Sequence, residues 1–255
     1  MNNYAKIKSL VAAIRKIARN AAYSTSTILL IVISSALHAA DINTAGTGNW
    51  SSRSSWSQVA GTGTISYTAG STDVTGTGTA FTTELTVGDI IYTTQPNGLS
   101  IAIASITDNN HLTLVSAPYT SSGQRSYTVS RTPVASDDVH IIGGYTITVD
   151  ISNAYCSSIS IGNGGNKECT LAFNANSQLS VSSSVTLNTT KNNKTILLDM
   201  TNGGTLICAS LAVPSTGGIQ KFTAGSGTII LTAGNTIPAA VFTTFNNLTL
   251  QAGTT

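Results

Sequence analysis

Short runs of alternating apolar and polar residues fill the chain from residue 139 to residue 250. Val139–Ile141, Tyr145–Val149 and Ser157–Ile161 show the pattern, and the centres of the later runs follow one another every 7 to 12 residues. Alternation with a period of two predicts β-strands with one buried face. Gly- and Asn-rich segments separate the runs, and no helical period of useful length appears.

Two all-β architectures fit this rhythm, a right-handed parallel β-solenoid and an antiparallel β-sandwich. The runs are short and of similar length, and their inward residues are uniformly aliphatic, which favours the solenoid. The runs do not align at one fixed period, which counts against it. We therefore predict the solenoid for residues 132–255 and keep the sandwich as the alternative.

The stretch 61–131 has a different texture, with six or seven short strand signals in about 70 residues. We interpret it as a small all-β module, a barrel or sandwich, inserted into the first turns of the solenoid. The predicted domains are thus a split solenoid, 41–60 with 132–255, and the insert 61–131. The segment Asn49–Trp56 should then pair with the strands that follow Val139.

The first 40 residues combine a basic leader, the apolar run Ile28–Ile33 and a small-residue end at Ser34–Ala40. This order is typical of a secretory signal peptide, with cleavage after Ala39 or Ala40. The apolar run falls short of the ~20 residues that span a bilayer. We expect export by the secretion machinery, a secreted or cell-surface location, and no membrane span in the mature chain.

The distribution of charged residues argues against nucleic acid as a partner. The chain has 12 basic and 10 acidic residues, and charged residues make up 9% of it. Five basic residues lie in the first 40, so the rest carries 12 − 5 = 7 basic against 10 acidic residues. Without a Lys/Arg cluster there is no electrostatic case for nucleic-acid binding.

Cysteines and tryptophans are the remaining unusual side chains. The chain has three cysteines, Cys156, Cys169 and Cys208, so at most one internal disulfide can form. We expect all three to be small buried residues within strands. Trp50 and Trp56 are an even number apart, which places both rings on one strand face. They either cap the end of a β core or form an exposed pair that contacts a sugar ligand.

No catalytic constellation, cofactor site or zinc site is apparent. Asp137 and Asp138 are adjacent, and neighbours on a strand point to opposite faces. A polysaccharide-cleaving site would need distant acids to converge in a groove; the candidates are Asp137, Asp150, Glu168 and Asp199. Asp89 after Gly88 has the position of a turn acid, and its carboxylate is also compatible with a structural calcium ion.

Part of the insert resembles small β modules of phage tail and tail-fibre proteins and of some bacterial surface proteins. The resemblance lies in Gly70–Ser71, Val74–Thr79 with Phe81, Leu85 with Gly88–Ile90, and Ile106 with Leu112 and Leu114. It implies a structural or receptor-facing role and brings no catalytic residue.

Residues 46–56 and 132–255 resemble large exported β-solenoid surface proteins of Bacteroidetes type. The matching segments are Gly48–Trp56, Ala135–Val139, Gly144–Asp150, Cys156–Ile161, Phe222–Thr228 and Phe245–Leu250. The resemblance implies a non-enzymatic structural or adhesion protein, the N-terminal part of a larger solenoid protein, with cell-surface glycans or matrix as partners. The alternative is a polysaccharide-binding or polysaccharide-cleaving β-helix protein.

Overall fold

The computed structural model describes residues 39–94, 98–162, 167–188, 193–214 and 217–251. Within these ranges nearly all regular secondary structure is β-strand, with one α-helix, α1 (Phe81–Glu84), and one 3-10 helix (Arg53–Ser55). The predicted signal peptide lies outside the described residues except for Ala39 and Ala40. No helix in the described ranges is long and apolar enough to cross a membrane.

Parallel strands form the larger part of the structure. In chain order they are β1 (Asp41–Asn43), β2 (Gly48–Asn49), β11 (Asp138–Ile141), β12 (Thr146–Val149), β13 (Ala154–Cys156), β14 (Ser158–Ile161), β15 (Cys169–Phe173), β16 (Gln178–Leu187), β17 (Thr195–Asp199), β18 (Thr205–Ala212), β19 (Ile219–Thr223), β20 (Thr228–Leu231) and β21 (Asn247–Leu250).

These strands stack on three faces. The first face runs from β1 through β11 and β14 to the second halves of β16 and β18. The second face has the order β2, β12, β15, β17, β19. The third runs from β13 through the first halves of β16 and β18 to β20 and β21. All these pairings are parallel, so the chain winds as a β-solenoid. The antiparallel sandwich alternative is wrong for these strands.

The solenoid core is built from aliphatic side chains stacked in register. Ile147, Leu171 and Leu198 are successive partners on the second face, and each is 0% exposed. Burying one such side chain contributes about 1.5–3 kcal/mol relative to leaving it in water. The polar residues between them face outward, as the period-two alternation predicts.

The number of residues in one turn of the solenoid varies, because hydrogen bonding between successive turns constrains the strands and not the loops that connect them. Residue 147 pairs with 171 and 171 with 198, intervals of 24 and 27 residues, whereas 139 pairs with 159, an interval of 20. Loops at the corners absorb the difference. One corner is a bulge within β16, where the register with β18 shifts between Val181 and Ser184. This variation explains why the sequence has no fixed repeat.

An antiparallel sheet lies in the sequence between β2 and β11. Its strands are β3 (Val59–Ala60), β4 (Thr64–Tyr67), β5 (Asp73–Thr77), β6 (Ile90–Tyr92), β7 (Ser100–Ile106), β8 (His111–Leu114), β9 (Ser122–Arg125) and β10 (Thr128–Ser130). Their order in the sheet is β3-β10-β6-β7-β8-β5-β4-β9. Its core includes Ile65, Phe81 and Ile103, each of which is 0% exposed. We call this unit the antiparallel module.

The first solenoid turn is completed across the module. β1 pairs with β11, and β2 pairs with β12 through the partners Gly48–Ile147 and Asn49–Thr148. The backbone N–H of Trp50 continues this ladder by donating to the carbonyl of Thr148 at 2.8 Å. The pairing predicted between the segment Asn49–Trp56 and the strands after Val139 is therefore confirmed.

The first and the last described strands of the solenoid differ in burial. Near β1 and β2 the apolar residues Ile42, Trp50 and Trp56 are at most 2% exposed. At β21, Leu248 is 37% and Leu250 is 53% exposed, although their ladder partners Ile229 and Leu231 are each 1% exposed. Among the described strands, β21 pairs with β20 alone. Within the described ranges β21 is therefore an apolar edge strand, and such edges promote association.

Replacing Leu248 and Leu250 by Lys should weaken self-association of the protein severalfold. The two substitutions remove the exposed apolar surface of β21 through which copies of the chain would associate. Light scattering as a function of protein concentration measures the effect. Thr249→Lys is the matched control, because it adds charge to the same strand and keeps both leucines. Equal association of the double variant and wild type would contradict the prediction.

Candidate functional site

The predicted aromatic pair lies in the core. The rings of Trp50 and Trp56 meet edge to face with centroids 5.0 Å apart, and the Trp56 Nε1–H donates to the Trp50 carbonyl at 2.9 Å. The side chains are 1% and 2% exposed. Rings buried to this degree offer no face to a sugar, so the ligand-contact interpretation of Trp50 and Trp56 is wrong. They close the first turn of the solenoid, as the capping interpretation predicts.

Between the two tryptophans, Arg53 reaches into the antiparallel module. Its Nε donates to Asp89 Oδ1 at 3.0 Å, and Asp89 Oδ2 accepts the backbone N–H of Thr86 at 2.8 Å. Asp89 is 1% exposed. The carboxylate that the sequence marked as a turn acid is thus held by protein donors at the contact between module and solenoid.

A second ion pair lies where the chain leaves the module and re-enters the solenoid. Arg131 donates to both carboxylate oxygens of Asp137, from Nη1 at 2.5 Å and from Nη2 at 2.8 Å. Arg131 is 5% exposed and Asp137 is 0% exposed. Two parallel charge-assisted hydrogen bonds are the strongest geometry for such a pair.

Backbone donors complete the shell around Asp137. The N–H of Val134 donates to Oδ2 at 2.7 Å, and that of Ala40 donates to Oδ1 at 3.2 Å. The Asp137 main-chain carbonyl accepts from Ser157 N–H at 2.7 Å. A buried charge is tolerated when its lone pairs are used in this way. Asp137 therefore connects the start of the solenoid, the turn after the module and the next turn of strands.

The acids considered for polysaccharide cleavage are not brought together. Asp137 is occupied by Arg131, and Asp150 accepts hydrogen bonds from the backbone and hydroxyl of Ser51. Asp199 accepts from Thr201. Glu168 precedes β15 while Asp150 follows β12, and because these strands run parallel the two carboxylates lie at opposite ends of the pair. In the described ranges, no three His, Cys, Asp or Glu side chains cluster to hold a metal ion.

The three cysteines are buried free thiols in strands, as predicted. Cys156 and Cys208 both pair with Val181, one turn to either side, in the third-face stack. Burial raises the pKa of the Cys156 thiol, helped by the carboxylates of Asp137 and Asp138, and it raises the pKa of Cys208 to about 12. These thiols are therefore packing residues of low reactivity.

A cleft opens on the outer surface of the antiparallel module. Its floor is the cross-strand row Ala60, Thr128 and Tyr92, contributed by β3, β10 and β6. The cleft has a volume of about 570 Å³ and is also lined by Gln58, Thr93, Thr94, Arg125, Ser126 and Tyr127. Sequence reasoning missed it, because its residues come from three separate segments that carry no common motif.

Comparison with known proteins gives little further guidance. No protein-family model and no curated protein matches the chain. Among solved structures, the chain is similar to the tailspike protein gp49 from Pseudomonas phage LKA1, with 15% identity and a TM-score of 0.24. The match covers 77% of this chain and 61% of that one, less than two thirds of its length. A TM-score this low carries no functional argument, and the fold rests on the strand pairing above.

Replacing Asp137 by Asn should destabilise the protein by about 3–5 kcal/mol, because Arg131 would remain buried without a counter-charge. Denaturant unfolding of the purified protein measures the loss. Asp138→Asn is the matched control: its carboxylate accepts from the Ser158 hydroxyl on a partly exposed strand position, and its loss should cost about 1 kcal/mol or less. Equal effects of the two substitutions would contradict a special role for the buried pair.

None of the three thiols should react appreciably with a small disulfide reagent in the native state at about pH 8, since burial keeps them protonated and shielded. All three should react rapidly in denaturant. The absorbance of the released thiolate follows both reactions. Fast labelling of the folded protein would contradict the prediction and show that the strands carrying these cysteines open readily.

Proposed function

We propose that the protein is an exported, non-enzymatic surface or extracellular protein in which the β-solenoid is a stalk and the antiparallel module is the displayed unit. Adhesion to cell-surface glycans or matrix is the expected role. The observation that carries the proposal is the mounting of the module: Arg53–Asp89 and Arg131–Asp137 hold it to the solenoid at its two chain crossings. A displayed unit needs such a rigid mount.

Two further features support this proposal. The outward positions of β14 and β16 are Ser, Thr and Gln, a surface that suits a stalk more than an active site. The resemblance of residues 46–56 and 132–255 to large exported surface proteins of Bacteroidetes type points the same way. Polysaccharide binding or cleavage is the alternative, and turnover of a polysaccharide by the purified protein would favour it.

The contacts of Ala40 favour one of the two expected cleavage sites. Its N–H donates to Asp137 and its carbonyl accepts from the Asp138 N–H at 3.0 Å. Cleavage after Ala39 keeps both groups and places the new α-amino group beside the Asp137 carboxylate. Cleavage after Ala40 would remove both hydrogen bonds. We therefore propose that the mature chain begins at Ala40.

Expression of the full chain in a bacterial host tests export. The protein should be recovered outside the cytoplasm with Ala40 as its first residue, read by N-terminal sequencing. Ile31→Arg should leave full-length protein in the cytoplasm, because a charge in the apolar core of a signal peptide blocks its recognition. Asn3→Arg is the matched control, since it adds the same charge to the basic leader and should not impair export. Cytoplasmic wild-type protein with residues 1–40 intact would refute the proposal.

A further inference from the structure

The cleft on the antiparallel module has the size and the lining of a small-ligand site. Its volume of about 570 Å³ lies within the range of about 300–1,000 Å³ that is usual for such sites. Its floor is sheet rather than loop, because Thr128 pairs with Tyr92 on one side and with Ala60 on the other. A sheet floor fixes the positions of the side chains that a ligand would contact.

Arg125 gives the cleft its charge. It is the one charged residue of the lining, and it is half-buried. Its Nε donates to the hydroxyl of Ser122, which orients the guanidinium. No acid among the described residues forms an ion pair with it. A fixed guanidinium with two unpaired terminal nitrogens fits a carboxylate in a bidentate manner.

Gln58 adds neutral hydrogen-bonding groups to the lining. Its Oε1 accepts the Thr128 hydroxyl at 2.6 Å, which leaves its amide N–H groups for other acceptors. A hydroxyl oxygen of a ligand can accept from these N–H groups.

Tyr92 adds an apolar surface. Its neighbour Ile91 points into the core and is 0% exposed, so Tyr92 itself faces outward on the same strand and is half-buried. The flat face of an aromatic ring packs well against the C–H groups of a pyranose ring, and its hydroxyl end stays wet. A cation, an aromatic ring and several hydrogen-bonding groups therefore surround one space.

We propose that this cleft binds a carboxylated saccharide, such as a uronate residue of an acidic glycan. Arg125 pairs with the carboxylate, Tyr92 packs against the sugar ring, and Gln58 binds ring hydroxyls. The proposal names a ligand class for the displayed module and in that sense rests on the proposed function. The binding itself is a property of the purified protein and is measured without reference to export.

The test is a titration of the mature protein with trigalacturonate at low ionic strength, followed by isothermal calorimetry. Fully methyl-esterified trigalacturonate is the matched neutral probe. We expect the acid to bind at least tenfold more tightly than the ester, because a charge-assisted bidentate contact is lost with the ester. Arg125→Gln and Tyr92→Ala should each weaken binding of the acid tenfold or more, with unchanged melting temperatures.

Lys167→Gln is the control for unspecific charge attraction, since Lys167 is an exposed solenoid residue and its loss should leave the affinity unchanged. If Arg125→Gln does not fold, Arg125→Lys serves as the second variant. It keeps the positive charge but lacks the two terminal nitrogens that bind a carboxylate together, so it should bind the acid severalfold more weakly than wild type. Equal affinity for acid and ester, full binding by the Arg125 variants, or an equal loss in Lys167→Gln would each overturn the proposal. Export could still be intact in those cases, and a failed export test would leave the titration result unaffected.

Discussion

The buried ion pair of Arg131 and Asp137 is the interaction at which the first strand, the exit from the module and the second turn of the solenoid meet. In a protein with 9% charged residues, both of these side chains lie out of water. The cost of removing them from water is offset because Asp137 receives two donors from Arg131 and one each from Val134 and Ala40. The first strand, the exit from the module and the second turn of the solenoid therefore share one fixed point.

The solenoid depends on this fixed point because its own contacts are repetitive. Each turn presents the next with nearly the same ladder of aliphatic residues, such as Ile147, Leu171 and Leu198. Such a ladder is stable, but it does not specify which strand comes first. The first turn is specified by side chains that occur once: the Trp50–Trp56 pair and the two arginine–aspartate pairs.

Two charged residues of the module differ in their contacts. Asp89 is paired with Arg53, whereas Arg125 lines the cleft and has no ion-pair partner among the described residues. Under the functions proposed above, Asp89 supports the module and Arg125 recognises the ligand, so that support and recognition fall to different residues of one small sheet.

The alternation of apolar and polar residues was enough to predict the strands and their inward residues, because side chains of a strand point alternately to its two faces and only one face is buried. Val139, Ile147 and Ile159 are buried as that pattern predicts, and the parallel stacking followed from short, uniform runs. The even spacing of Trp50 and Trp56 placed the rings on one face, but spacing cannot tell a buried face from an exposed one. Export, which the leader predicts, still rests on sequence.

Only the tertiary structure decided which residues meet across long separations. The partners of Arg53 and Arg131, the separation of Asp150 from Glu168, and the meeting of Gln58, Tyr92 and Arg125 in one cleft all depend on how the strands pair. Pairing between distant strands depends on how the whole chain folds, and no pattern of neighbouring residues in the sequence shows it. The sequence determined what each segment would become, and the fold determined what those segments form together.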